Sequence, residues 1–431
     1  MNKLRWIEIH EFRNVVPETS LRFSEGFNVL LGRNGTGKTN LLHLISMALR
    51  LDFEAVADEA FEVEFEIAGP ENSKLVARVR NRRVESEAQQ ELFSPQNSPP
   101  NSPPASYDFC FELRVGLSDG RELEIRSSTQ EGVKVLVAGD EPKGLPGFRM
   151  VLNPTALMSF FFELLRQKVD LGGTVPLVIM GLFHAPYRFD EGLNAFHAMH
   201  GVGDSVLSSP HRAWLEINRP KAKATSSEVT PGLGVRSSYL PSNLYMTIVS
   251  APPRPAGKAL LRKAATSLGF KSVEWQKRLQ QRESLSHGGV RETYAEFEFG
   301  CALHDGGFVL DDQLSFGEKR LLAFLYYLET AKGCAIVDEL ANGLHYDWIQ
   351  SALDWLEDRQ AFLTSQNSLL LDFLPITSAE GATEMFIRCE HVEDRKWCWK
   401  NFTDNEGSEF YRDLSVGVEH VSQILRTRGL W

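Results

Sequence analysis

Apolar and polar positions alternate over residues 4–10, which predicts a strand exposed on one face, and residues 21–23 suggest a second. Residues 27–31 (FNVLL) are almost wholly apolar, the pattern of a strand covered on both faces. A glycine-rich turn follows. Leu41, Leu42, Leu44, Ile45, Ala48 and Leu49 then recur at helical spacing and predict a helix over 38–49. The period returns to two over 61–67, 75–80, 107–115, 122–126 and 133–137, predicting half-exposed antiparallel strands. Glu62, Glu64 and Glu66 occupy polar positions of the first of these and are expected to face solvent.

Residues 94–106 (SPQNSPPNSPPAS) interrupt this region with a composition that cannot build a core, so an exposed, mobile loop is expected. A helix is predicted over 155–169 and a buried strand over 175–180. From 183 to 289 the text turns rich in Gly, Pro, Ser and His, with helical pieces at 258–268 and 272–281. Regular pattern resumes with a strand at 294–303, a helix at 321–329, a buried strand at 334–337 and a helix at 348–359. The expected division is an N-terminal lobe (1–182), a mainly helical insertion (183–293) and a C-terminal lobe (294–431).

Composition narrows the class. A net charge of -11 excludes a wholly basic nucleic-acid-binding surface, though not a local patch. The five cysteines form no C-x-x-C pair, which argues against a disulfide framework or zinc ribbon and fits a reducing cytoplasm. No apolar run approaches the roughly 20 residues of a membrane span, and the N-terminus does not read as a signal peptide. A soluble, cytoplasmic protein without membrane contact is expected.

The turn before the first helix reads Gly32-Arg33-Asn34-Gly35-Thr36-Gly37-Lys38-Thr39, which fits G-x-x-x-x-G-K-[ST] throughout. Glycines let successive N–H groups converge into an anion nest, and the following helix directs its N-terminal dipole at the same point. Lys38 adds a charge for the outer phosphates. Thr39 offers a hydroxyl to Mg²⁺, and Asn40 lies next along the helix. This predicts binding of ATP with Mg²⁺. The buried strand at 334–337 ends in Asp338-Glu339. In phosphoryl transfer such a pair serves two roles: Asp338 holds the metal, and Glu339 orients and deprotonates the attacking water. A third string, Leu314-Ser315-Phe316-Gly317-Glu318-Lys319-Arg320, precedes an apolar helix and by itself reads as a helix N-cap.

The order P-loop, LSFGEKR, CAIVDE resembles that of ABC-type ATPases, with LSFGE similar to their signature motif. The opening, IEIHEFRNV through GRNGTGKTNLLHLI, resembles the head domains of the RecF, SMC and OLD-type group, and Asp338 to His345 (DELANGLH) resembles OLD-like heads. The tail from Glu419 resembles that of stand-alone bacterial ATPases of this kind. The resemblance implies an α/β P-loop fold with an antiparallel β-lobe and a helical insertion. It also implies ATP sandwiched between two heads. Ser315, Gly317 and Glu318 of one copy would then complete the site of the other, Arg13 and Asn34 would face the nucleotide, and residues 342–345 would form the D-loop. One position departs. Where these ATPases carry a switch histidine, the text is Thr364-Ser365-Gln366, and glutamine can donate a hydrogen bond but shuttle no proton. Slow hydrolysis is therefore expected. No glutamine stands near 184–188, where a Q-loop residue is expected, so that role stays unassigned.

Weaker features are read plainly. His197, His200 and His211 lack a further ligand at metal spacing and read as surface or packing residues. Trp397 and Trp399 read as one face of a late strand. Arg78, Arg80, Arg82 and Arg83, and the basic segment 254–282, offer footprints for nucleic acid or solvated faces. Three functions follow. The first is a sensor ATPase of bacterial phage defence, working as a homodimer or larger homo-oligomer with a separate effector, because the chain beyond Leu374 is too short for a nuclease module. The second is a RecF-like DNA-maintenance ATPase. The third, a transporter's nucleotide-binding subunit, is disfavoured by the RecF-like start.

Overall fold

The computed structural model describes residues 2–84, 106–116, 120–128, 132–140, 182, 188–189, 214–219, 255–284, 290–310, 313–331, 333–356, 358–417 and 420–429, with isolated positions between 157 and 166. The expected features at 175–180, His197, His200 and His211 lie outside the described residues, as do most of 155–169 and residues 94–105 of the expected loop, whose last residue, Ser106, begins a strand. The chain forms two compact units. The first comprises Met1–Arg188, Ala331–Asp338 and Asp358–Trp431; the second comprises Phe189–Thr330 and Glu339–Glu357.

The first unit begins with β1 (Lys3–Phe12), β2 (Thr19–Arg22), β3 (Phe27–Leu31) and α1 (Lys38–Arg50). It continues with β4 (Phe61–Ala68), β5 (Lys74–Val84), β6 (Ser106–Gly116), β7 (Glu122–Ser128), β8 (Gly132–Val137) and the two-residue β9, Arg188–Phe189. Seven of these build an antiparallel sheet with β2 at one edge and β8 at the other, in the order β2-β1-β4-β5-β6-β7-β8. Its inner face is aliphatic and aromatic: Ile7, Ile9, Val63, Phe65, Ala77, Val79 and Leu113 are buried in one core with α1. Its outer face is laced with charge. Glu62 is nearly buried there and accepts from Arg78 Nε at 3.0 Å and Arg82 Nη2 at 3.1 Å. The expected solvated Glu62 is thus an internal anchor, because cross-strand pairing lays arginines of β5 beside it. Arg78 and Arg82 are committed to that pair.

The second sheet of this unit carries the predicted chemistry. It uses β14 (Cys334–Val337), β15 (Gln360–Leu363), β16 (Phe386–His391) and β17 (Trp397–Asn401). β3 lies between β15 and β16, and β14 lies beyond β15, all parallel; β17 closes the other edge antiparallel to β16. Parallel strands end together, so the turns after β3, β14 and β15 gather at one edge. Gln360, fully buried at the start of β15, ties this sheet to the antiparallel one. Its side-chain oxygen accepts from Leu4 N at 2.8 Å, and its amide donates to the carbonyls of Leu4 and Ser24, both at 2.7 Å.

The second unit holds β10 (Trp214–Arg219), α2 (Pro255–Leu268), β11 (Ser272–Ser284), β12 (Val290–Ala302), β13 (Phe308–Leu310), α3 (Phe316–Thr330) and α4 (Tyr346–Asp354). Helix α2 meets the expected helical piece at 258–268. The piece expected at 272–281 is instead a strand: Ser272 pairs with Ala302 and Ser284 with Val290 along the whole of β12. Val273, Trp275 and Leu279 also fit a period of two, and the long partner strand decided between the two patterns. Among the described residues no helix is long and apolar enough to cross a membrane.

The Gln360→Leu variant would leave the buried main-chain N–H and carbonyl of Leu4 without their Gln360 partner, whereas the Ser24 carbonyl keeps the Asn28 amide at 3.0 Å. At about 1–3 kcal/mol for each such group, it is expected to unfold at clearly lower urea concentration than the parent. An unchanged midpoint in a denaturation series would contradict the role given to this side chain.

Candidate nucleotide site

The P-loop sits where the sequence predicts, between β3 and α1. Thr36 and Gly37 are buried, and Arg33, Asn34 and Gly35 are exposed. Lys38 Nζ donates to the carbonyls of Gly32 at 2.7 Å and Arg33 at 3.2 Å, so it lies over its own loop. Gly37 adopts φ +83, and a side chain there would meet the Trp397 ring at 2.6 Å, which leaves glycine as the fitting residue. Trp397 is one of a stacked pair with Trp399, ring centres 6.0 Å apart. The two indole N–H groups donate to P-loop carbonyls, Trp397 to Gly35 and Trp399 to Thr36, both at 3.0 Å. The late strand therefore carries more than packing. These two donors give the loop carbonyls fixed partners and so brace the loop. An alternating W-C-W on a strand gives no hint of this partner some 360 residues earlier.

At the next residue the two predicted metal groups meet. Thr39 Oγ1 donates to Asp338 Oδ2 at 2.9 Å. Thr364, fully buried at the end of β15, donates its hydroxyl to the other oxygen of Asp338. Arg188 Nη1 lies 3.6 Å from Asp338 Oδ2 and donates to the carbonyl of Thr39 at 3.4 Å. The donor set of a hydroxyl and a carboxylate is all oxygen and fits a hard divalent cation such as Mg²⁺. The cation already beside Asp338 shows that this corner accommodates positive charge. Thr364 and Arg188 are the groups that sequence reasoning left unassigned. Thr364 was discoverable only from the strand order, and Arg188 only from the fold.

Arg13, expected near the nucleotide, is drawn to α1. Its Nε and Nη2 bind both oxygens of Glu59 at 2.7 Å, and Nη1 donates to the side-chain oxygen of Asn40. The arginine holds the Glu59 carboxyl below its ordinary range. Burial, then the charges of Arg188 and Arg13, push the His43 imidazole down, keeping it neutral over a wider pH range. Gln366 is exposed, two residues beyond Thr364.

In the second unit the signature-like string forms the start of α3. Ser315 N donates to Glu318 Oε2 at 2.7 Å and Glu318 N donates to Ser315 Oγ at 3.3 Å, a reciprocal capping box. Gly343, at φ +72, would place a side chain 2.5 Å from the Phe316 ring, so this ring rests on the glycine and stays half exposed. Ser315, Phe316, Gly317, Leu344, His345 and Trp348 border an open depression of about 670 Å³. Glu339 has φ +55, a conformation costing roughly 1–3 kcal/mol for a residue with a side chain. Its carbonyl accepts from buried Arg320 at 2.5 Å, and the Arg320 guanidinium lies 5.2 Å from the centre of the Phe189 ring. Arg320 thus fixes the backbone that orients Glu339.

Residues 7–130 match the family described as AAA domain. No curated protein matches the sequence. Among solved structures, the chain is similar to an SMC head domain from Thermotoga maritima at 11% identity, covering 93% of this chain and 99% of that one with a TM-score of 0.37. An SMC head bound to the C-winged helix domain of ScpA gives 13% identity, 93% and 98% coverage and 0.40. The recombination mediator protein RecF with ATP gives 14%, 93%, 97% and 0.27. The matched segment, the strand order and the loop between β3 and α1 define the class at its coarsest: an α/β fold with a P-loop.

Trp397→Phe keeps a ring against Gly37 but removes the hydrogen bond to Gly35. With about 1 kcal/mol for that bond, ATP affinity is expected to fall roughly fivefold with the fold intact. Calorimetric titration showing parental affinity would remove the bracing role.

Proposed function

We propose that the chain binds ATP with Mg²⁺ at Gly32 to Asn40 and hydrolyses it slowly, as an ATP-held latch between two copies of itself. The observation that carries this reading is the 2.9 Å bond between Thr39 and Asp338, which joins a P-loop hydroxyl to the carboxylate at the end of β14. When bound, Mg²⁺ would be held by these two residues and would neutralise phosphate charge. Lys38 turns from its own loop carbonyls to the outer phosphates. Glu339 takes the proton of the attacking water. Ser315 and the backbone at Gly317, at the start of α3 in a second copy, donate to the γ-phosphate. Arg13 and Asn34 border the nucleotide, and Gln366 donates to it without carrying a proton, which supports slow turnover.

The OLD-like stretch from Asp338 to His345 supports a regulatory role in anti-phage defence, with a separate effector protein. The cysteine pattern supports a cytoplasmic setting. A second reading, direct binding of DNA in the manner of RecF-type maintenance ATPases, is favoured by Arg262, Lys263, Lys271 and Arg282, which are all exposed in the basic segment.

Lys38→Ala is expected to abolish ATP binding in a fluorescent-nucleotide assay, and Glu339→Gln to form a stable dimer with ATP. A Glu339→Gln protein that stays monomeric in light scattering at saturating ATP would sink the two-copy model. For the second reading, reversing charge at Arg262 and Lys263 should weaken DNA binding and flatten its salt dependence. Binding that is insensitive to both salt and these changes would dismiss the patch.

A further inference from the structure

The cation beside Asp338 has no role in the chemistry so far. Arg188 stands 21% exposed, with Nη1 3.6 Å from Asp338 Oδ2 and 3.4 Å from the carbonyl of Thr39. The same carboxylate oxygen receives the Thr39 hydroxyl at 2.9 Å. Arg188 therefore lies at the Asp338 oxygen that Thr39 also binds, beside the first turn of α1.

Charge decides where this guanidinium goes when nucleotide arrives. A divalent cation at Asp338 repels it, and the negative γ-phosphate attracts it. Its planar fork suits phosphate oxygens. Thr364 holds the far oxygen of Asp338, so the carboxylate keeps its place when the arginine leaves.

We propose that Arg188 is a catalytic residue of this site, moving from Asp338 to the γ-phosphate on ATP binding and stabilising the charge of the transferred phosphoryl group. This rests on the ATPase reading above. In the step, the water oxygen bonds to the γ-phosphorus while the bond from that phosphorus to the bridging oxygen breaks. The electron pair stays on ADP, and the water proton passes to Glu339. Arg188 gives and takes no proton. Its contribution is electrostatic and is made in the transition state more than in the ground state.

The test compares the full-length parent with Arg188→Ala and Arg188→Gln, measuring turnover and the separate affinities for ATP and ADP with Mg²⁺. Turnover is expected to fall on the order of 10²–10³-fold, in line with loss of one transition-state donor. ATP affinity should fall about tenfold, as for loss of one charge-assisted contact, with ADP affinity nearly unchanged. Arg188→Lys should recover part of the ATP preference. ATP and ADP affinities that fall together, or parental turnover and ATP preference in either neutral variant, overturn the proposal. Arg188→Gln keeps hydrogen-bonding capacity at the same place and supplies the comparison if the alanine variant folds poorly. A parent that binds no Mg²⁺-ATP refutes the ATPase reading itself, so the two failures are distinct.

Discussion

The hydrogen bond from Thr39 to Asp338 joins residues 299 positions apart, and the site depends on it. It exists because β3, β15 and β14 lie side by side and parallel, so that the turns after them open at one edge. Three residues from three such ends, Thr39, Asp338 and Thr364, form a continuous chain of hydroxyl, carboxylate and hydroxyl. Each hydroxyl takes one oxygen of Asp338. The carboxylate is thereby fixed in direction before any metal is considered, which is the preorganisation that electrostatic catalysis requires.

The loop after β3 is braced from the β17 edge of the same sheet. β17 follows β16, which pairs with β3, and this places Trp397 and Trp399 under the P-loop with both indole N–H groups on its carbonyls. A loop that must present N–H groups to an anion has carbonyls that need partners elsewhere. In the second unit a comparable economy holds the signature-like turn: Phe316 lies on Gly343, and Ser315 and Glu318 cap one another. Arg320 secures the carbonyl of Glu339, a residue whose positive φ is a strained choice outside a functional turn.

The chain is acidic overall, yet cations gather at the start of α1. Arg13 is held by Glu59, Lys38 by loop carbonyls and Arg188 by Asp338. Each has an internal acceptor that a phosphate could replace. Net charge therefore says little about this corner, because local placement outweighs the sum over a 431-residue chain.

Sequence by itself determined the apolar strand before the P-loop, the helix after it and the strand ending in Asp338, because each has a local period or composition that permits one structure. β3 and β14 begin and end where the pattern placed them. It also carried Gly, Lys and Thr at the fixed offsets that a phosphate and a metal ion call for. The segment at 272–281 fits two periods equally, and only the pairing with β12 made it a strand. The burial of Glu62, the indoles beneath the P-loop, the clasp of Asp338 by Thr364 and the approach of Arg188 were likewise decided by tertiary structure. All four are contacts between residues distant in the chain or on neighbouring strands. No local pattern encodes which side chain a parallel strand order will lay against another. The opening of the chain thus carried the glycine-rich loop, while the fold chose which arginine stands beside Asp338.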